Sequence, residues 1–193
     1  MCLSSTDKLV IERMGTKIMK ENIVLIGYMG SGKTTVGTHL ASCLNYQFLD
    51  TDQKIEEQQG KTISQIFSDN GEEFFRDVET NIIKNMLSEV NHGIISTGGG
   101  LPLRECNGEI LKRLGFVVFL RVKKETILER LKGDTTRPLL QGENVEEKVE
   151  KMLSYRNPIY EYSAHLQVEV DNKSVEEITE EILRNYHILV NKE

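Results

Sequence analysis

The chain has 193 residues, 38% of them hydrophobic, which suits one domain with a sizeable core. Its 24 basic and 30 acidic side chains give a net charge of −6, which argues against nucleic acid as the main partner and leaves no polybasic patch for a membrane surface. No apolar run approaches the roughly 18 residues that a membrane-crossing helix needs. Cys2, Cys43 and Cys106 are far apart and form no Cys-x-x-Cys pair, so a reducing cytoplasm is expected. His39, His92, His165 and His187 show no metal-ligand spacing. Residues 1–19 begin with a polar stretch, have no signal-peptide apolar core and contain two further methionines, Met14 and Met19. They are expected to be a flexible N-terminal extension to a domain over 20–193.

In chain order, an apolar strand over 22–26 stops at Gly27. Gly27-Tyr28-Met29-Gly30-Ser31-Gly32-Lys33-Thr34 then matches Gly-x-x-x-x-Gly-Lys-Thr, the phosphate-binding P-loop, in its strand–loop–helix setting. Glycines let the backbone turn its N–H groups inward, and the following helix adds its own unsatisfied N–H groups and positive dipole end. Lys33 is placed to reach the outer phosphates, and the Thr34 hydroxyl to ligate Mg²⁺. Gly30, Ser31, Gly32, Lys33, Thr34 and Thr35 are therefore the candidate triphosphate-binding residues. A helix over 33–44 carries Val36, Leu40, Ala41 and Leu44 on one face.

A second strand over 46–49 ends at Asp50, and a helical region in two or three pieces follows to about 90, punctuated by Gly60 and Gly71. Its last piece has Phe74, Val78, Ile82 and Ile83 at helical spacing. A third strand over 93–97 ends in Gly98-Gly99-Gly100. A helix over 104–114 precedes an apolar strand over 116–120 that suits a sheet centre. Next come a helix over 124–131, a loop-like candidate lid over 132–143, a long helix over 145–162, a strand over 166–170 and a final helix over 175–190. The alternation predicts an α/β fold: a three-layer α/β/α domain with a five-stranded parallel sheet.

In such sheets ligands bind at the carboxyl ends of the strands, so the P-loop, Asp50-Thr51-Asp52 and Gly98–Gly100 should converge. Residues two apart in an extended segment face the same way, so Asp50 and Asp52 are expected to line one cleft. One carboxylate suits Mg²⁺ and its waters, the other an acceptor hydroxyl and its proton. The same tripeptide also reads as a helix cap. Gly98–Gly100 permits close backbone approach of a ligand, or serves as a flexible turn. Arg76, Arg137 and Arg156 each fit an ordinary ion pair, and Glu79 is spaced to pair with Arg76. Arg137, in the glycine-bracketed loop, is placed to bring a cation over the phosphates on closure.

Together these segments resemble the shikimate kinase family. The resemblance rests on the P-loop with Thr35-Val36-Gly37, Phe48-Leu49-Asp50-Thr51-Asp52, Ile63-Ser64-Gln65-Ile66-Phe67, Glu73-Phe74-Phe75-Arg76-Asp77-Val78-Glu79, Thr97-Gly98-Gly99-Gly100, Thr136-Arg137-Pro138-Leu139-Leu140 and Tyr155-Arg156-Asn157-Pro158-Ile159-Tyr160. It spans about 20–190 and implies a P-loop kinase fold with a lid, and transfer of the ATP γ-phosphate to the 3-hydroxyl of shikimate in aromatic amino acid synthesis. It assigns Asp52 to the shikimate hydroxyls as candidate base, leaving Asp50 with Thr34 for Mg²⁺. It assigns Arg76, Arg156 and Gly98–Gly100 to the carboxylate and ring, with Phe67 and Phe75 as apolar walls or as plain core. Arg137 becomes the lid arginine, Arg130 lies near adenine, and the loop at Asn172 completes the base pocket. Lys33, Asp52 and Arg137 form the implied catalytic set. The expected partners are shikimate and ATP, with no nucleic acid, no membrane, and a monomeric state. The rivals are another small-molecule P-loop kinase, for gluconate or a nucleoside monophosphate, a GTPase switch, and an inactive binding homologue. The switch lacks its Asn-Lys-x-Asp, since Asn172-Lys173-Ser174-Val175 has no Asp at the fourth position.

Overall fold

A computed structural model describes residues 20–130 and 144–190. The expected N-terminal extension, the lid at 132–143 and Arg137 lie outside the described residues. The elements are β1 (Ile23–Ile26), α1 (Lys33–Leu44), β2 (Gln47–Asp50), α2 (Thr51–Gln59), α3 (Ile63–Glu89), β3 (Gly93–Ser96), α4 (Glu105–Leu114), β4 (Phe116–Arg121), α5 (Lys124–Arg130), α6 (Val145–Ser163), β5 (Leu166–Glu169) and α7 (Val175–Val190), with one 3₁₀ turn at Leu101–Leu103. No helix of the described residues is long and apolar enough to cross a membrane.

The five strands form one parallel sheet in the order β2-β3-β1-β4-β5. The sheet centre is therefore β1, and the sequence-based placing of the 116–120 strand there is corrected by one position. Both runs are wholly apolar and buried, so hydrophobicity alone did not rank them. In register, Val24 stands between Ile95 and Val117. The chain leaves β1 toward one side of the sheet and later crosses to the other. The switch point lies between β1 and β3, the position where such sheets open a ligand crevice. The P-loop and Gly98–Gly100 leave those two strands.

Local chemistry explains the helix ends. Thr62 and Gln65 form a reciprocal capping box at the start of α3. The α2 helix stops at Gly60, whose φ of 63° is left-handed. Gly71, at φ 84° and ψ 173°, breaks α3 into two helical stretches. Opposite the ligand end, buried Asn22 donates to the carbonyls of Val90 (3.2 Å) and Leu114 (2.8 Å) and accepts from the Gly93 N–H (2.9 Å). One side chain thus ties the ends of α3 and α4 to the start of β3. The core is continuous across the sheet, from Leu40, Ile55 and Ile83 to Ile127, Tyr160 and Ile182.

Candidate functional site

The P-loop turns through Gly30 at φ 77° and Gly32 at φ 93°, backbone that side chains rarely adopt. Gly32 starts α1 with no side-chain cap, so the first N–H groups of the helix face a cleft of about 480 Å³. Lys33 Nζ donates to the carbonyls of Gly27 (2.8 Å) and Tyr28 (3.0 Å), which fixes the lysine along the loop. Buried Ser31 Oγ has no hydrogen-bond partner among the described residues. Thr34 and Thr35 are exposed and line the same cleft. The Arg130 guanidinium, at the end of α5, donates to the Gly30 carbonyl at 2.8 Å. The sequence-predicted nucleotide residues from Gly30 to Thr35, together with Arg130, are brought to one place.

Asp50 and Asp52 both line this cleft, by a different geometry from the one expected. The strand ends at Asp50, and Thr51 and Asp52 are already helical. Asp50 Oδ1 accepts from the N–H groups of Asp52 (2.9 Å) and Gln53 (3.4 Å), as the N-cap of α2. The extended-strand alternation argument is thereby corrected: capping sets Asp50, and the first helical turn carries Asp52. Between them, the buried Thr51 hydroxyl accepts from the Gly98 N–H at 2.9 Å.

The glycine loop is the point of contact. A Cβ on Gly98 would lie 2.5 Å from Asp52 Oδ1 and 3.1 Å from Glu79 Oε1, and one on Gly100 would overlap the Arg76 guanidinium. Gly98 therefore packs against two carboxylates, and Gly100 against a guanidinium. Arg76 donates to Glu79 at 2.7 Å and to Glu72 at 2.9 Å, and lies 5.4 Å over the Phe75 ring. Burial pushes the Glu79 carboxyl up to about 7, against the pull of Arg76, with Asp52 and Glu72 adding to the rise. The sequence marks Glu79 only as an ion-pair partner of Arg76. Three-residue spacing reveals the pair; its almost complete burial comes from the β3 loop, which local sequence does not show.

A second cleft, of about 440 Å³, is lined by Arg76, Arg104 and Arg156 together with Glu72, Glu73 and Tyr155. Arg156 lies 5.5 Å over the Tyr28 ring, so the helix α6 arginine rests on a P-loop side chain. Phe67 and Phe75 pack on each other at 4.6 Å between ring centroids, and neither lines these two clefts. Asn172 is exposed at a left-handed φ of 57° and turns the chain, while Val170, Lys173, Val175 and Ile178 line the nucleotide cleft beside it. Lys173 belongs to the loop that the resemblance assigns to the base pocket, whereas Val170, Val175 and Ile178 carry no site signal in the sequence, because their apolar side chains read as parts of a strand and a helix. Among the described residues no group of three or more His, Cys, Asp and Glu side chains forms a metal cluster.

A sequence profile of the family described as shikimate kinase matches residues 29–187. The shikimate kinase of Thermodesulfovibrio yellowstonii is 44% identical over 171 residues, covering 89% of this chain and 98% of that one. The chain belongs to the shikimate kinase family. The solved structure of shikimate kinase from Acinetobacter baumannii in complex with shikimate is 41% identical and superposes with a TM-score of 0.81, covering 90% of this chain and 96% of that one. A gluconokinase from Sinorhizobium meliloti superposes at a TM-score of 0.56 with 20% identity, over 89% of this chain and 94% of that one, which speaks for a shared fold alone. As a shikimate kinase family member, this chain has the α/β P-loop kinase fold of its relatives.

Proposed function

We propose that the chain transfers the γ-phosphate of ATP to the 3-hydroxyl of shikimate, giving shikimate 3-phosphate and ADP. The observation that carries the reading is the Gly98–Gly100 loop: Gly99 lines the phosphate cleft, Gly98 packs on Asp52 of that cleft, and Gly100 packs on Arg76, which lines the second cleft. A triphosphate at the P-loop and a small carboxylic acid against the arginines would then share one boundary. Arg76 and Arg156 hold the shikimate carboxylate, because planar guanidinium forks match its two oxygens. Asp52 binds the ring hydroxyls and takes the proton of the attacking one. Backbone N–H groups of Gly30–Thr35 and the Lys33 ammonium hold the β- and γ-phosphates, and Arg130 steadies the loop through Gly30. Arg137 is proposed as the cation that neutralises the transferring phosphoryl group, from a lid at 132–143.

The donor set suits Mg²⁺. Thr34 and Asp50 offer oxygen ligands on one cleft wall, the uncapped α1 N-terminus faces the same space, and the unpartnered Ser31 hydroxyl marks a loop built around an absent polar group. Bound there, the ion would supply charge neutralisation between the phosphate oxygens. We further propose a catalytic unit that begins near Lys20, after an N-terminal extension over 1–19, and a monomer acting in the cytoplasm. Support for the monomer is the shortage of exposed large apolar side chains: Phe74, Tyr155 and Tyr162 are those of the described residues.

The test is ADP release from ATP, with and without shikimate, and with gluconate and nucleoside monophosphates as competing acceptors. Shikimate alone should raise the rate well above the background hydrolysis. Turnover on another acceptor in its place would refute the assignment. Asp52→Asn should keep ATP binding and lose at least a hundredfold in kcat, the usual order for removing a positioned base. A near-normal kcat would remove Asp52 from that role.

A further inference from the structure

Tyr160 belongs to none of the roles above, yet it stands where the two halves of the site join. It lies on α6 one helical turn after Arg156, so both side chains leave the same face. Its ring is fully buried, 5.1 Å from that of Phe119 on β4. Its hydroxyl donates to the Gly99 carbonyl at 2.6 Å, a short contact across 61 residues of sequence. The P-loop meets the phenol at this residue: a Cβ on Gly99 would lie 3.4 Å from the Gly27 carbonyl oxygen, 3.7 Å from the Met29 nitrogen and 3.8 Å from the Tyr160 hydroxyl. The central residue of the glycine loop is therefore packed against both the phosphate-binding loop and one phenol, which holds its carbonyl.

We propose that Tyr160 is a positioning residue for the acceptor: by holding the Gly99 carbonyl it sets the direction of the Gly98–Gly100 peptides against Asp52 and Arg76. This rests on the acceptor reading given above. A three-glycine loop has little to fix it locally, since its residues carry no side chains and lose much backbone freedom on ordering. Two anchors are visible, the Thr51 hydroxyl on the Gly98 N–H and the Tyr160 hydroxyl on the Gly99 carbonyl. The first comes from the element that carries Asp52, the second from the helix that carries Arg156. Rotation of the Gly99 peptide would move both neighbours at once, Gly98 off Asp52 and Gly100 off Arg76. Burial pushes the phenol up to about 12 while the Arg156 charge beside it opposes this more weakly, so the hydroxyl keeps its proton and remains a donor at any working pH.

The experiment uses the full chain and the Tyr160→Phe variant, which keeps the ring against Phe119 and deletes only the donor. Shikimate-dependent ADP release is measured while each substrate is varied in turn, and backbone exchange at 98–101 is followed by mass spectrometry. In Y160F the KM for shikimate should rise about tenfold, the usual order for a buried carbonyl left without its donor. The KM for ATP should stay within twofold, and exchange at 98–101 should quicken. Tyr162→Phe, an exposed ring resting on Lys112, serves as the control and should match the wild type. An unchanged shikimate KM in Y160F, or equal rises for both substrates, would overturn the proposal. So would a Y160F chain that does not fold, since the hydroxyl would then serve the fold instead of the acceptor. Failure of the wild type itself to release ADP with shikimate would overturn the acceptor reading, a separate and earlier outcome of the same assay.

Discussion

Gly100 shows how a single missing methyl group shapes the acceptor side. Its φ of −88° is open to any residue, so backbone strain does not demand glycine. Space does, because a Cβ would overlap the Arg76 guanidinium. Gly100→Ala must therefore push Arg76 away from Glu79, or move the loop. Loss of one well-placed charge-assisted contact costs roughly 1.5–3 kcal/mol. The KM for shikimate should rise on the order of tenfold to a hundredfold by that energy, with the KM for ATP within twofold. Steady-state kinetics in both substrates checks this, and an unchanged shikimate KM would show that the contact is not part of acceptor binding. In the sequence Lys33 stands in the P-loop pattern, and Asp52, Arg76 and Arg156 stand in segments that resemble the family; the structure sets Asp52 on the first cleft and both arginines on the second. Glu79 and Tyr160 were not legible as site residues. Their significance comes from long-range contact: Glu79 is buried against a loop 19 residues on, and the Tyr160 phenol meets a carbonyl 61 residues away. Nothing in a glutamate or tyrosine on a helix announces such a partner.

Among the elements, α5 links two parts of the nucleotide cleft. At its start, the Asp171 carboxylate accepts from the Lys123 N–H (3.1 and 3.3 Å to its two oxygens) and from the Thr126 hydroxyl (2.6 Å). At its end, Arg130 holds Gly30 of the P-loop. Asp171 follows β5 and precedes the residues that line the cleft at 173–178, so a seven-residue helix spans from that wall to the P-loop. Asp171→Ala removes the acceptor at the helix start, worth about 1 kcal/mol for a typical cap. The KM for ATP should rise about fivefold and the melting temperature fall by a few degrees, with shikimate KM unaffected. An unchanged ATP KM beside a lowered melting temperature would confine Asp171 to stability. Such coupling has no local signature in the sequence, although the elements themselves do. Apolar periodicity marks strands and helices locally, and Gly60 and Gly71 did interrupt the helices as expected. Sheet order is a different matter. Two equally apolar runs, β1 and β4, compete for the centre, and only the path of the connections decides between them. The Asp50–Asp52 geometry failed for a related reason: where a strand yields to a helix, one residue of boundary changes which way a side chain points.

For the whole molecule, two buried groups at different places make opposite demands on pH. Glu79, beneath the glycine loop, is pushed from 4.5 up to about 7 by burial. His165, between α6 and β5, is pulled from 6.5 down to about 4, again by burial first and then by Lys112. Its Nδ1 accepts the Val117 N–H at 2.9 Å, which a proton there would abolish. Between pH 4.5 and 7 the folded chain holds a proton at Glu79 that the unfolded chain has released. That contribution to stability is full below 4.5 and is lost as pH rises toward 7. Between pH 4 and 6.5 the unfolded chain holds a proton at His165 that the folded chain refuses. That contribution is full above 6.5 and is lost as pH falls toward 4. The slopes are equal and opposite, each about 1.4 kcal/mol per pH unit, so from 4.5 to 6.5 the two groups conceal each other in the wild type. Single variants should expose them. Relative to the wild type, Glu79→Gln should gain stability with rising pH, by roughly 3 kcal/mol across its window. His165→Gln should lose a similar amount across its own, and the double variant should run parallel to the wild type from 4.5 to 6.5. Urea unfolding at four pH values between 4.5 and 7.5 measures all four curves. Difference curves that stay flat would mean that neither group titrates differently in the folded chain. Because the two sites lie on different elements and share no partner, their effects should add, and the double variant tests that independence directly.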